Sequence, residues 1–485
     1  MTELFKHQIE GIEFLKKTPK AILADEMGLG KTRQAIVAAR EDDENWMFGE
    51  FKTLIVCPAS LKINWKREIE MVYPKDRVQI LESKTELQNA EWYIINYDIL
   101  GKRMEMIDEL IGYGMDTMIL DEAHYIKGKS IRATAIIGGA AKRKDGTKFT
   151  SEGLASRMKK VYCLTGTPLL NRPIELFNLL KAIGHPLGRV RSFYSKRYCD
   201  GFLQTIIRRY KPPLRIWNEQ GASNLGELRE QIKNYMLRRK KDDVLDLPEK
   251  IISVMECDLD NEWQKTYDNA WEAYIAFLQE NPIPDRNIDN IILARQLVEI
   301  QKLKQVCSRA KINRIIEDIE NAIEQDEKVI VFSQYTNTIK ELSEKLNTKK
   351  IGNRTLTGTD NMDQRQKAVD DFQNDKEVKV FIANIKAGGV GLNLTAASIV
   401  IFTDMDWSPA THNQAMDRTH RIGQSKMVNV YFYICPETIE NDIMETLNLK
   451  KNVMDKVLEG TQNNMRIQST QEAFLKRIAK KALGT

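Results

Sequence analysis

Two groups of short apolar runs limit what this chain of 485 residues can fold into. In the first 185 residues the runs are Ala21-Ile22-Leu23-Ala24, Thr53-Leu54-Ile55-Val56-Cys57, Trp92-Tyr93-Ile94-Ile95-Asn96, Thr117-Met118-Ile119-Leu120 and Val161-Tyr162-Cys163-Leu164. Each is too short for a helix, lacks the alternation of a half-solvated strand, and is followed by a turn or a stretch of helical periodicity. That is the pattern of parallel strands buried on both faces by crossover helices. The rhythm returns after residue 325 in Lys328-Val329-Ile330-Val331-Phe332, Lys379-Val380-Phe381-Ile382-Ala383, Ser398-Ile399-Val400-Ile401-Phe402 and Val428-Asn429-Val430-Tyr431-Phe432. The fold class predicted is α/β, with two lobes, each a parallel sheet flanked by helices. Length sets a prior of about three domains and allows two or more buried cores.

Between the lobes the charge pattern changes sign. Residues 186–241 hold 14 Lys/Arg against 4 Asp/Glu, with seven aromatics interleaved, whereas residues 254–290 hold nine acids against two bases. The switch lies beside Leu247-Pro248-Glu249 and sets a boundary near 250. The expected domains are a first lobe over 1–250 with a basic helical protrusion at about 186–241, and a second over 251–460 with a helical protrusion at about 261–320. Residues 461–485, which include Lys476, Arg477, Lys480 and Lys481, are expected to be a basic tail, with a basic amphipathic helix as the alternative. No apolar run reaches the roughly 18 residues that span a bilayer, and Met1 to Lys6 has no signal-peptide core. The six cysteines are far apart without a Cys-x-x-Cys pair, which argues against a zinc site or a disulfide framework and for an intracellular compartment. A net charge of +5 is too small to reveal a nucleic-acid partner by itself.

Ala24-Asp25-Glu26-Met27-Gly28-Leu29-Gly30-Lys31-Thr32 follows a predicted strand and opens a predicted helix, Arg33 to Arg40. Amides of such a loop, with Gly28 and Gly30 allowing the turn, cradle phosphate at a helix N-terminus. Lys31 would reach the β- and γ-phosphates, and the Thr32 hydroxyl would ligate Mg²⁺. The strict phosphate-loop motif has Gly where Asp25 stands, and Gly-Lys-Thr alone recurs by chance. Some 90 residues on, Met118-Ile119-Leu120-Asp121-Glu122-Ala123-His124 ends an apolar strand in adjacent carboxylates, where Asp121 suits Mg²⁺ and Glu122 suits a water to be polarised. Two acids at a solvated strand end are common; their place downstream of the loop is what points to phosphoryl transfer. Gln414 to Gln424 then puts Arg418 and Arg421 three apart, predicted on one helix face, as a solvated basic helix or as forks for phosphate oxygens.

In this order the motifs resemble the SNF2 family of superfamily 2 helicase-like ATPases, from about Leu4 to Gly460. His7-Gln8-x-x-Gly11 is similar to the family's adenine-reading element, which implies a base contact by Gln8. Asp25 to Thr32 is similar to the family's form of the phosphate loop. Cys57-Pro58-Ala59-Ser60-Leu61 with Trp65, and Leu164-Thr165-Gly166-Thr167-Pro168, resemble further blocks. Met236-Leu237-Arg238-Arg239-Lys240 followed by Leu247-Pro248 resembles a block peculiar to this family. Phe332-Ser333-Gln334-Tyr335, Ala387 to Leu394 with Gly391 at the nucleotide, and Arg418-x-x-Arg421-Ile422-Gly423-Gln424 complete the set. Tyr198-Cys199-Asp200-Gly201 and Ser223-Asn224-Leu225-x-Glu227-Leu228 resemble the subgroup of fork-remodelling, strand-annealing motors. Ile385-Lys386 departs from the family's usual small hydroxyl residue before the Lys/Arg of the Gly-Gly block.

The resemblance implies two RecA-like lobes, ATP and Mg²⁺ as cofactors, and double-stranded DNA, forked or branched DNA included, as the sequence-independent partner. It implies lobe-tip contacts at Thr165, Lys386 and near Thr357-Gly358, and catalysis by Asp121, Glu122, Arg418 and Arg421. Arg208, Arg209 and Lys211 are the phosphate contacts expected from the basic 186–241 segment; Phe193, Tyr194 and Trp217 within it are expected mostly as core. Residues 138–160, seven bases against two acids, look like an insertion, either a DNA-facing loop or a mobile surface loop. No accessory module fits outside the lobes, so a bare motor is expected. Its activity is then duplex translocation, with strand-separating helicase and nucleotide-gated DNA-binding module as the alternatives.

Overall fold

The computed structural model describes residues 4–41, 52–102, 105–142, 146–166, 173–208, 211–219, 221–245, 247–281, 290–388, 392–447, 464–465 and 470–483. The chain divides into two compact units. One consists of Met1–Phe202, Trp217–Asp246 and Gly460–Arg466, the other of Leu203–Ile216, Leu247–Glu459 and Ile467–Thr485.

The first unit is built on a seven-stranded sheet of β1 (Lys20–Leu23), β2 (Thr53–Cys57), β3 (Val78–Ile80), β4 (Trp92–Asn96), β5 (Thr117–Leu120), β6 (Lys160–Leu164) and β7 (Met236–Leu237), in the order β7-β1-β6-β5-β2-β4-β3. Every pairing is parallel. β2, β4 and β5 are buried at every residue, which is why their sequences run apolar without alternating. Helices α1 (Lys6–Lys17), α2 (Lys31–Glu41) and α3 (Lys62–Val72) belong to this unit.

The second unit has a six-stranded sheet of β8 (Lys250–Glu256), β9 (Val329–Ser333), β10 (Gly352–Leu356), β11 (Val378–Asn384), β12 (Ile399–Phe402) and β13 (Val428–Ile434), all parallel, in the order β8-β13-β12-β9-β11-β10. Alternate residues feed two cores. Ile330, Phe332, Phe381, Val400 and Phe402 lie in one, and Val329, Val331, Val380, Ile382 and Ile401 in the other. The two α/β units are therefore as the apolar runs predicted.

The protrusions differ from expectation. α4 (Asn261–Glu280) and α5 (Asn290–Ala310) pack together, and Asp260 caps α4 by accepting from Glu262 N and Trp263 N. The next helix, α6 (Ile312–Glu324), instead covers the sheet, because Ile312, Ile315, Ile316 and Ile319 form one apolar stripe against Val329 and Val331. Segment 186–241 is not purely helical. Helices Arg191–Tyr198 and Leu225–Ile232 flank a hairpin of Phe202–Arg208 and Lys211–Asn218, whose Phe, Thr, Ile and Trp residues favour strand. Tyr194 is core, but Phe193 and Trp217 are exposed.

At the C-terminal segment the structure has the amphipathic helix, not the preferred tail. Thr470–Leu483 forms a helix, α8, with Phe474, Leu475, Ile478 and Ala479 buried against Tyr274, Leu278 and Ile300. The spacing of its apolar residues makes one stripe, and burial of that stripe decides for the helix. Gln296 Nε2 seals the contact by donating to Leu475 O at 3.0 Å. Among the described residues no helix is long and apolar enough to cross a membrane, and all six cysteines are free.

Candidate nucleotide site

The phosphate loop runs from the end of β1 to the start of α2. Gly28 and Gly30 both have positive φ, 86° and 71°. The turn at Gly30 favours glycine through its φ, and a Cβ there, 2.2 Å from Gln8 Nε2, would also displace the Gln8 amide. His7 Nε2 lies 3.1 Å from Leu29 O, and both His7 and Gln8 are buried. Lys31 Nζ donates to Asp25 O at 2.6 Å and Glu26 O at 3.0 Å, which holds the ammonium over the loop. Thr32 lies in the first turn of α2, a turn without acidic residues and therefore favourable to an anion.

Asp25, the departure from the strict motif, is fully buried and accepts from Arg239 Nε at 3.1 Å and Nη2 at 2.5 Å. Arg239 also donates to His7 O and to Gln34 Oε1. The backbone repeats the connection through Ala24 N to Leu237 O and Glu26 N to Arg239 O. The block around Arg239 is thus the outer strand beside β1, and Asp25 is a structural anchor for the loop. Sequence reasoning missed this pairing, since no local signal links residues so far apart.

Asp121 and Glu122 follow β5. Asp121 Oδ2 accepts from Trp65 Nε1 at 2.7 Å, and its Oδ1 accepts from Glu122 N at 2.9 Å. Tyr97 Oη donates to Asp121 O at 2.7 Å, another contact unforeseen in the sequence. Burial is the main cause that pushes the Asp121 carboxyl up to about 6, with the Glu122 charge adding; the Trp65 and Glu122 N–H bonds and the Lys31 ammonium oppose it. Glu122 takes a left-handed backbone, φ 48°, and its Oε2 lies 3.3 Å from His124 Nδ1. A non-glycine residue in that region is strained.

Thr165, expected at a DNA-facing tip, is buried at the end of β6, where its N–H donates to Leu23 O. The chain is drawn inward there because Gly166 closes on Met27, whose Cγ would stand 2.5 Å from an added Cβ. Thr165 therefore lies beside the phosphate-loop region. Thr167 and Pro168 lie outside the described residues.

In the second unit Arg418 and Arg421 are not on a helix. α7 (Pro409–Met416) ends before them, and residues 417–423 form turns with Arg418 N bonded to Ala415 O and Thr419 N to Met416 O. Tertiary bonds stop the helix. Leu394 N donates to Arg418 O, Arg421 Nη1 to Leu392 O, and Gln424 Nε2 to Ala397 O at 2.8 Å. His420 Nε2 meets Pro248 O at 2.8 Å. The arginine block is thereby stitched to the segment after the Gly-Gly block; Gly391 itself lies outside the described residues. Arg418 is buried and Arg421 half-buried. Ile385, the family departure, is buried in the sheet's core, while the Lys386 side chain is 75% exposed with Nζ 3.8 Å from Asp406 Oδ2. Arg208 and Lys211 stand at the ends of the two hairpin strands, and Arg209 lies outside the described residues.

A phosphate loop and an acidic pair at strand ends of one parallel sheet, with paired arginines on a second parallel-sheet unit, define a helicase-like nucleotide-binding protein. This chain belongs to the SNF2-related family: the SNF2-related domain matches residues 7–312, and the helicase conserved C-terminal domain matches residues 310–423. It is similar to the DNA annealing helicase and endonuclease ZRANB3 of Bos taurus, with 30% identity over 96% of this chain and 41% of that protein. It is also similar to an uncharacterized ATP-dependent helicase of Mycoplasma genitalium, with 31% identity over 94% of this chain and 42% of that protein. The chain thus spans about two fifths of the length of these relatives. A solved Sulfolobus solfataricus SWI2/SNF2 ATPase core in complex with dsDNA aligns over 99% of this chain and 97% of that one, with 22% identity and a TM-score of 0.41.

Proposed function

We propose that the chain is an ATP-dependent double-stranded DNA translocase of SNF2 type, which hydrolyses ATP to ADP and phosphate and remodels DNA or protein–DNA complexes. Forked or branched DNA is the substrate class we favour, because a similar protein is an annealing helicase by name. The observation that carries the proposal is the placement of the phosphate loop after β1 and the acidic pair after β5 of one parallel sheet, in a chain matched by the SNF2-related and helicase C-terminal domains. The Lys31 ammonium also favours the ionised Asp121 carboxyl against the push of burial.

Thr32 and Asp121 offer hard oxygen donors of the kind Mg²⁺ takes, and a divalent charge would favour the ionised form of a carboxyl that burial resists. Mg²⁺ bound with ATP supplies charge neutralisation at the phosphate oxygens. Gln8 would hold the base edge, and Gly28, Gly30 and Lys31 the phosphates. Glu122 would orient the attacking water and accept its proton. Arg418 and Arg421 would add positive charge as the phosphoryl group transfers, Gly391 would meet the nucleotide, and Lys386 would touch the DNA backbone.

ATPase rates with duplex, single-stranded and forked DNA, run beside a strand-displacement assay, test the proposal. Strong stimulation by duplex without displacement is expected. Equal stimulation by single strands, or the same rate without DNA, overturns it.

A further inference from the structure

The insertion between the acidic pair and β6 is a built element. Helix Ile131–Ile137 ends at Gly138, strands Gly139–Lys142 and Lys148–Ser151 pair antiparallel, and a short helix, Leu154–Arg157, leads back towards β6. Its base is closed by two glycines at positive φ, Gly138 at 73° and Gly153 at 87°. A Cβ on Gly138 would lie 2.3 Å from Glu152 O, and one on Gly153 would lie 2.2 Å from Gly138 N. The two stems therefore touch backbone to backbone. Lys181 Nζ anchors the base by donating to Gly138 O at 3.1 Å, and Ala141 packs against the core of the first unit. The hairpin leaves the surface from a fixed footing.

Its strands are chemically one-sided. The register sets Lys142 directly opposite Lys148, both exposed, and the strands Gly139–Lys142 and Lys148–Ser151 contain no acid. Like charges directly opposite destabilise a strand pair, and a two-stranded hairpin is marginal to begin with. Glu152 offers no relief, since it pairs with Arg157 at 2.6 Å. Among the described residues neither lysine has an acidic partner. Folding stability does not account for this pairing; a polyanionic partner does. A phosphodiester backbone offers one negative charge per roughly 3.4 Å of helix axis on each strand, and two long, flexible lysine side chains whose Cβ atoms stand about 5 Å apart can reach adjacent phosphates together.

We propose that this hairpin is a duplex-DNA contact in which Lys142 and Lys148 hold adjacent phosphates of one strand. The inference rests on the DNA-translocase function proposed above. Phosphate contacts carry no base information, so it adds grip without sequence preference.

The test compares the parent protein with K142Q/K148Q and K142R/K148R. Affinity for a linear duplex is measured over a series of salt concentrations, together with kcat at saturating duplex and affinity for MgATP. For K142Q/K148Q we expect weaker duplex binding and a salt exponent smaller by about 2, at roughly 0.9 for each phosphate no longer neutralised. Saturated kcat and MgATP affinity should be unchanged, and K142R/K148R should restore binding. An unchanged affinity and salt exponent in K142Q/K148Q, with the parent binding duplex and hydrolysing ATP, overturns the hairpin contact and leaves the translocase function standing. So does a loss of kcat with duplex affinity intact, or a loss confined to single strands. A parent protein with no duplex affinity overturns both.

Discussion

Arg239 Nη2 and Asp25 Oδ2 lie 2.5 Å apart, although 214 residues separate them in the chain. The carboxylate is fully buried and the guanidinium nearly so, and the pair fixes the start of the phosphate loop to the outer strand of its sheet. A bidentate fork onto a buried carboxylate is strong only while both partners remain.

Arg239→Ala should therefore destabilise the first unit by about 3–5 kcal/mol, the usual cost of leaving a buried charge unpaired. Arg239→Lys should rescue little, since an ammonium cannot fork. The double variant Asp25→Asn with Arg239→Met should be less damaging than Arg239→Ala. Urea unfolding and MgATP binding measure this, and an Arg239→Ala protein as stable as the parent would remove the anchor role.

Glu122→Gln should keep MgATP and DNA binding and lose turnover by roughly 10²–10⁴, the worth of a positioned base. The amide keeps the size of the side chain and leaves Asp121 in place. Single-turnover hydrolysis beside equilibrium binding is the measurement. Turnover close to the parent's would assign the water to another residue.

Asp121 sets a pH dependence with a definite sign. Its carboxyl is raised in the folded protein from 3.8 to about 6, so the folded state keeps a proton that the unfolded state releases. Ionising it costs stability; the cost is absent below about 4, grows between about 4 and 6, and is complete above. The difference in Tm between Asp121→Asn and the parent, without nucleotide, should shift in favour of the variant across that window and then level off. A difference independent of pH would mean that Asp121 ionises normally.

Arg421→Ala should bind ATP almost as the parent does, because Gln8, Lys31 and Thr32 all belong to the first unit. DNA-stimulated hydrolysis should fall by about 10³ or more, the range for arginines that act on the transferring phosphoryl group. Should nucleotide affinity vanish with no further loss in the chemical step, Arg421 would be a ground-state ligand instead.

Phe474→Ala should cost the second unit about 3–5 kcal/mol. The ring is buried, and it packs edge-on to Trp407 at a centroid distance of 4.8 Å. Thermal unfolding measures it, and an unchanged Tm would return the segment to a solvated tail.

The strands of both sheets were legible because burial on two faces writes itself into consecutive apolar residues, as in Leu54-Ile55-Val56 and Val329-Ile330-Val331. The phosphate loop and the Asp121-Glu122 pair were legible because each is contiguous, and the chemistry of a short loop depends on neighbours in sequence. What stayed hidden depends on neighbours in space. The Asp25–Arg239 pair, the Trp65 and Tyr97 bonds to Asp121, and the close approach of Gly166 to Met27 join residues that no periodicity relates. The end of α7 before Arg418 was decided by Leu394 and Gln424 bonding to the chain around it, against a local spacing that would have continued the helix. For α8 the spacing allowed a helix, but only tertiary packing decided it over a tail, since burial follows the one stripe of Phe474, Leu475 and Ile478 that meets Tyr274 and Ile300. Local sequence determined the strands of the two large sheets and the phosphate loop; the tertiary structure alone decided which distant side chain satisfies each buried charge, because a charge away from water takes whatever partner the fold brings within reach.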